Sequence, residues 1–313
     1  MELPRPRRNA LIGREGEGVT AIVPLPPLAR FVLTALLAGL ILGGRLAAGQ
    51  FQAGVSLVEV FATVTDERSG RPVVDLQEAD FTILEDGVPQ RIATFTAGDL
   101  PLAVAVAVDR SFSMKKEGVT RQVRAVRTFL GAMKPTDETM VVAIGGETEI
   151  VAPLSTDRQA ALNALDRLTP WGTTPLYDSA LEAMRAIQAG KGRRVLVLLS
   201  DGQDRYSATT AAALVTHGRG MDVQVDPIAL GQAIPPLFAE LASVTGGRPM
   251  LARNDAQLQH ELAALSADLR AQYLIGYTPE PLKHAGDAPW RSIAVTVNRP
   301  DVRIRARDGY LAR

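Results

Sequence analysis

Apolar and polar positions alternate with period two from Gln50 to Thr96, as in VSLVEVFATVTD, and this predicts half-buried strands. ERSGRPV reads as a turn punctuated by Gly70 and Pro72, and DFTILEDGVPQRIATFT as two short strands around Asp86-Gly87, a hairpin signal. From Leu102 the period changes. LAVAVAVD, TMVVAIGG, EIVAPLS, RRVLVLLSDG and VQVDPIAL read as strands, with a short one at PMLAR. Between them VTRQVRAVRTFLGAM, DRQAALNALDRL, DSALEAMRAIQAG, a stretch near Ala208 to His217, PLFAELASVTG and DAQLQHELAALSADLRAQ read as helices. Gly190 is expected to cap the third of these.

RRVLVLLSDG is a near-continuous apolar run, as a parallel strand buried on both faces requires. Strands alternating with helices predict βαβ crossovers. Residues 101–272 are therefore expected to form an α/β domain, a doubly wound, mostly parallel sheet flanked by helices. After Gln272 the strand period returns in QYLIGYTP, RSIAVTVNR and VRIRARDGY, joined by the polar loop LKHAGDAP. Neither the segment 50–100 nor 273–313 has enough strands to be stable by itself. The two are expected to pack together as one small β-sandwich, with the α/β domain inserted between its halves.

Residues 1–49 differ in character. Arg5, Arg7, Arg8 and Arg14 precede the uncharged segment Phe31–Gly44, which is followed by small residues at Ala47–Gly49. That order describes a secretory signal peptide and predicts an exported protein, periplasmic, cell-surface or secreted. The segment is shorter than the ~20 apolar residues that span a bilayer. A retained membrane anchor whose flanking arginines snorkel is the alternative. Lys+Arg and Asp+Glu balance at 34 each, so no basic face is forced and nucleic acid is not an implied partner. Cysteine is absent, which removes disulfides, thiolate metal ligands, Cys nucleophiles and lipid attachment after the apolar segment.

Candidate chemistry gathers at strand ends, where open parallel sheets bind ligands. Asp109 closes LAVAVAVD and is followed by Ser111 and Ser113; Asp201 follows VLVLLS; WGTTPLYDS, Trp171–Ser179, precedes a helix. If the first and fourth strands of the domain lie near each other, Asp109, Ser111, Ser113, Thr174 and Asp201 converge. Two carboxylates and three hydroxyls are the oxygen donors a hard divalent cation selects, Mg²⁺ or Mn²⁺, and they leave coordination positions open. Each piece has an ordinary explanation by itself: Ser113 as a helix cap, Asp201-Gly202 as a turn, Thr173-Thr174-Pro175 as a helix start.

Taken together they resemble the von Willebrand factor type A domain and its metal-ion-dependent adhesion site. Asp109-Arg110-Ser111-Phe112-Ser113 matches that site's Asp-x-Ser-x-Ser element, Gly172–Leu176 its threonine loop, and Ser200-Asp201-Gly202 its Asp-Gly element. The flanks look like those of secreted A-domain-related proteins first noted in acidobacteria. The resemblance implies a metal held by Asp109, Ser111, Ser113, Thr174 and Asp201, with a Glu or Asp of a protein partner completing the shell. It implies adhesion or interaction rather than catalysis. Thr174 is taken over Thr173 because the family pattern puts the ligand two residues before Leu176. One position departs: most members carry Gly where this chain has Phe112, whose ring must point into the core or towards the ligand face.

Rival functions lack their residues. A dinucleotide enzyme needs a Gly-rich turn where this chain has DRSFSMKKEG, and a phosphotransferase a second carboxylate at the Ser111 position. A serine hydrolase needs G-x-S-x-G and a positioned histidine; His217, His260 and His284 read as surface or helix residues. Metal-assisted hydrolysis finds no evident general base. A scaffold with an idle metal site is the alternative that Phe112 favours. Trp171 and Tyr206 are expected to pack rather than line a binding face, and Arg110, Lys115 and Lys116 to form a solvated cluster rather than to steer an acidic ligand.

Overall fold

The computed structural model describes residues 57–280 and 290–312. The leader 1–49 and the loop LKHAGDAP lie outside them. Four strands come first: β1 (Val58–Asp66), β2 (Phe81–Glu85), β3 (Val88–Gln90) and β4 (Ile92–Ala97). Asp86 and Gly87 both take positive φ, 48° and 78°, the turn an Asp-Gly pair favours between β2 and β3. The chain then enters β5 (Leu102–Asp109), β6 (Glu138–Gly145), β7 (Glu147–Ser155), β8 (Arg193–Ser200), β9 (Gln224–Ala229) and β10 (Met250–Leu251), which form one sheet in the order β10-β9-β8-β5-β6-β7. All pairs in it are parallel except β6 with β7, which double back through Gly146.

Helices α1 (Lys115–Gly131), α2 (Arg158–Leu165), α3 (Leu176–Ala186), α4 (Ala211–Gly220), α5 (Pro236–Thr245) and α6 (Asp255–Arg270) cover both faces. Strand β5 is buried throughout, and its period-two pattern divides the core. Val104, Val106 and Val108 pack with α1, α2 and α6, while Ala103, Ala105 and Ala107 pack with α3, α4 and α5. Small alanines let α3 approach closely, with Leu176, Ala180, Ala183 and Met184 facing them. Gly190 closes the helical continuation of α3 as its C-cap, its amide donating to Ile187 O at 2.9 Å, and also serves that close approach. It follows a 3-10 turn, Ile187–Ala189, at φ −68°, and a Cβ there would meet the Ala103 methyl at 2.5 Å.

After α6 the chain forms β11 (Tyr273–Tyr277), β12 (Trp290–Val297), β13 (Val302–Arg305) and β14 (Gly309–Leu311). The two flanks interleave as expected, into sheets ordered β13-β1-β11-β4 and β14-β12-β2-β3. Val60, Ala62, Val64, Ile83, Tyr273, Ile275, Tyr277 and Ile293 fill the space between them. VRIRARDGY is two strands rather than the one its pattern predicts, because the chain changes sheets at Ala306–Asp308. IATFT likewise leaves the β2–β3 hairpin at Arg91 to join the other sheet. Strands that switch sheets make the corners of a sandwich, and alternation of side chains does not record them.

A polar knot ties the two sheets. Glu85 is buried and accepts from the Tyr277 hydroxyl at 2.6 Å, the Tyr310 hydroxyl at 2.8 Å and Arg291 Nη1 at 3.0 Å. Burial first, then the adjoining carboxylate, pushes both tyrosine hydroxyls above their ordinary range. The sandwich is joined to the α/β domain by a second polar set. Gln272 Nε2 donates to Thr63 Oγ1 at 3.0 Å and to Gln224 Oε1 at 2.9 Å, and the Arg193 guanidinium lies 4.0 Å from the Phe61 ring centroid. Burial pushes Arg193 down to about 10.

Candidate metal centre

Strands β5 and β8 are direct neighbours, with Val108 opposite Leu199, so Asp109 and Asp201 leave the sheet side by side. The chain runs outward from β5 to β6 and β7, then returns to β8 on the other side. Their C-terminal ends therefore bound the crevice where the winding reverses. Four of the five expected ligands are linked there. Ser111 and Ser113 lie 3.0 Å apart, hydroxyl to hydroxyl, and Ser113 Oγ donates to Asp201 Oδ2 at 3.2 Å. The Ser111 amide donates to Asp109 Oδ1 at 2.9 Å. Thr174 is buried while Thr173 is exposed, which favours Thr174 as the inward-facing residue. No hydrogen bond joins the Thr174 hydroxyl to the other four among the described residues.

Four loops are zipped together by backbone bonds. The Phe112 amide donates to Gly172 O at 3.0 Å, Trp171 N to Arg110 O at 2.7 Å, Gly146 N to Thr173 O at 2.7 Å, and Arg205 N to Thr174 O at 2.7 Å. Gly172 makes this possible. At φ 68° its missing Cβ would run into the backbone of Gly146, which cannot yield as a flexible side chain could. Gly172→Ala is accordingly expected to cost about 2 kcal/mol from left-handed strain and overpacking together, read in a urea melt.

Asp109 is fully buried, and no cationic side chain bonds to it among the described residues. Burial pushes its carboxyl up, partly offset by bonds from Ser111 and Ser200, and the nearby Asp201 charge pushes it further up. Ser200 Oγ donates to Asp109 Oδ2 at 2.7 Å and accepts from the Gly202 amide at 3.1 Å, so it aims the carboxylate and braces the Asp201 turn together. Gln122 on α1 donates to Asp109 O at 2.7 Å. Sequence reasoning gave neither residue a role. Ser200 was visible as the residue before Asp-Gly, whereas Gln122 carried no signal, because only the docking of α1 brings it to the strand end.

Phe112 takes the outward of its two expected directions, whereas Trp171, Tyr206 and Arg110 depart from expectation. Phe112 points into solvent, 64% exposed, and its φ is not positive, so the loop does not demand a glycine there. Trp171 and Tyr206 are 58% and 84% exposed, which overturns the expectation that they pack. Arg110 is withdrawn from solvent and paired with Glu149 at 2.8 Å, so the expected solvated cluster loses this member. Lys115 and Lys116 are exposed. Asp178 on α3 accepts from the amides of Ala208 and Thr209 at 2.8 and 2.9 Å, anchoring the far end of the loop that carries Tyr206. The Thr209 side chain first, and then the two amides, hold the Asp178 carboxyl below its ordinary value. Among the described residues no group of three or more His, Cys, Asp or Glu side chains is gathered for a metal. Hydroxyls supply most of this cluster.

The class these features define is a doubly wound α/β domain with carboxylates and hydroxyls gathered at its switch point. Residues 104–203 match the family model described as von Willebrand factor type A domain, and the fold of the α/β unit is of that type. A solved structure of a von Willebrand factor type A protein from Catenulispora acidiphila is similar at 17% identity and a TM-score of 0.51, over 84% of this chain and 65% of that one. That share is larger than the α/β domain alone occupies, and the likeness concerns the fold. The conserved hypothetical protein BatB from Bacteroides thetaiotaomicron is similar at 15% identity over 55% of this chain and 100% of that one, with a TM-score of 0.45. Proximal thread matrix protein 1 from the mussel byssus, in a structure with a zinc-occupied MIDAS motif, is similar at 18% identity over 56% of this chain and 49% of that one, with a TM-score of 0.45. No curated protein matches the chain in sequence.

Proposed function

We propose that the protein is an exported, divalent-metal-dependent interaction module that captures an acidic residue of a protein partner. The observation that carries this reading is the linked set Asp109, Ser111, Ser113 and Asp201 at the mouth of the β5–β8 crevice. The donor set fits Mg²⁺ or Mn²⁺. It is all oxygen, and among the described residues no cationic side chain bonds to its buried carboxylate, so a hard cation would compensate an otherwise costly charge. Asp109, Ser111, Ser113, Thr174 and Asp201 would hold the ion. Two carboxylates formally balance a divalent ion, but the three other donors are neutral hydroxyls and leave a coordination position open, which an incoming carboxylate can fill.

Binding is favoured over catalysis by what surrounds the cluster. Asp204 accepts from the Tyr177 amide at 3.1 Å and the Ser207 hydroxyl at 2.5 Å, and Asp178 anchors a loop, so neither carboxylate stands free as a general base. The two described histidines, His217 and His260, sit on α4 and α6 rather than on the loops of the cluster. Export rests on the arginine-rich start, the apolar segment Phe31–Gly44 and the small residues Ala47–Gly49. Among the described residues no helix is long and apolar enough to cross a membrane. The interleaved sandwich would serve as a platform, a role consistent with the flanking likeness to secreted A-domain-related proteins.

Titration calorimetry with Mg²⁺ and with Mn²⁺ tests the reading. One saturable site per chain, lost when EDTA is present, is expected. Absence of saturable heat with both ions would replace the adhesion reading with that of a scaffold.

A further inference from the structure

We infer that the binding surface is composite: a ring of exposed apolar side chains surrounds the metal centre and takes an aromatic or aliphatic residue adjoining the partner's acidic one. The inference rests on the metal-dependent reading above and specifies the partner further. Phe112, Trp171, Tyr206 and Ile234 are among the few large apolar side chains that the described surface exposes, and each comes from a different loop at the C-terminal edge of the sheet. The zipped backbone bonds hold the first three of these loops edge to edge. The Ile234 loop joins them through Pro235, whose ring occupies the space a Gly202 side chain would need.

These side chains are presented rather than loosely displayed. The Trp171 indole lies over bare backbone, since a Cβ on Gly146 would come within 3.0 Å of its Nε1. Tyr206 takes a positive φ of 74°, a costly conformation for a bulky residue. It is held by Arg205 N on Thr174 O before it, and by Asp178 on the amides of Ala208 and Thr209 after it. A strained, anchored backbone that turns an aromatic ring into water has no packing return, whereas rigid aromatic anchors are the residues that dominate protein interfaces. Charge selects the rest of the partner. Lys115 and Arg205 flank the cluster, are exposed, and carry no ion pair among the described residues, while Glu149 is neutralised by Arg110. The surface suits a protein loop in which Asp or Glu adjoins Phe, Leu or a similar side chain.

A phage library of random dodecapeptides panned on the full chain in Mn²⁺, beside the variant Phe112→Ser, Trp171→Ser, Tyr206→Ser, tests this. These side chains are largely solvated, so the variant should keep the wild-type unfolding curve and metal titration. Enriched peptides should pair an acidic residue with an aromatic or aliphatic neighbour, and a synthetic copy should bind the variant at least about 30-fold more weakly. Peptides enriched for acids alone, or binding both proteins equally, would overturn the composite surface and leave the metal reading standing. Equal enrichment on both proteins, including none on either, would overturn it too. Apolar peptides that bind equally well in EDTA would overturn the metal reading and, with it, the composite site.

Discussion

Asp109→Asn should abolish measurable Mg²⁺ and Mn²⁺ binding while leaving the metal-free protein as stable as the wild type to within about 1 kcal/mol. Asparagine is nearly isosteric and can keep the local bonds. Its Oδ1 still accepts from the Ser111 amide, and its amide group can donate to Ser200 Oγ where the wild-type carboxylate accepts from it. What it removes is the one fully buried negative charge of the cluster. Calorimetric titration read beside urea unfolding separates the two effects. Binding retained by the variant would show that Asp109 braces the loop without contributing to a cation site. Loss of binding together with a collapse in stability would show that the asparagine disrupts the β5–β8 crevice itself. Phe112→Gly on the same assay should leave affinity close to wild type, because Phe112 is solvated and takes no glycine-only conformation.

Glu85→Ala should cost about 3–5 kcal/mol, a large fraction of a domain's stability. The carboxylate is the shared acceptor for Tyr277 on β11, Tyr310 on β14 and Arg291 on β12, so its removal strips two hydroxyls of this acceptor and leaves the guanidinium only Asp86 and the Glu280 carbonyl. Tyr277 belongs to one sheet and Glu85 to the other, so the loss falls on the interface between them. Urea denaturation followed by circular dichroism would measure it. Glu85→Gln, which keeps an acceptor oxygen and much of the volume, should recover part of the loss. If alanine proved neutral, the knot would be a solvated accessory and the apolar core alone would hold the sheets together.

The two predictions differ in how far the sequence anticipates them. Asp109 stands out in LAVAVAVDRSFS, because an aspartate and two spaced serines after a fully apolar strand require a reason. Glu85 does not stand out. It sits before Asp86-Gly87 like any turn-flanking acid, and its partners lie about 190 residues or more away. The same contrast runs through the crevice. Ser111, Ser113 and Asp201 were legible by spacing, whereas Gln122 came to Asp109 only through the docking of α1. Exposure was misjudged for Trp171 and Tyr206, since aromatic residues are usually buried and no local pattern tells when a loop turns one outward.

By itself the sequence determined the order and type of the elements, the α/β domain between two β flanks, and the oxygen-rich chemistry at the ends of β5 and β8. These follow from period and residue type, which are local properties of the chain. Tertiary structure alone decided where strands change sheets, that Gly190 serves close packing, that Ser200 and Gln122 hold Asp109, and that Phe112, Trp171 and Tyr206 face water. Each of those depends on which distant backbone arrives within a few ångströms, and a periodic pattern carries no record of it.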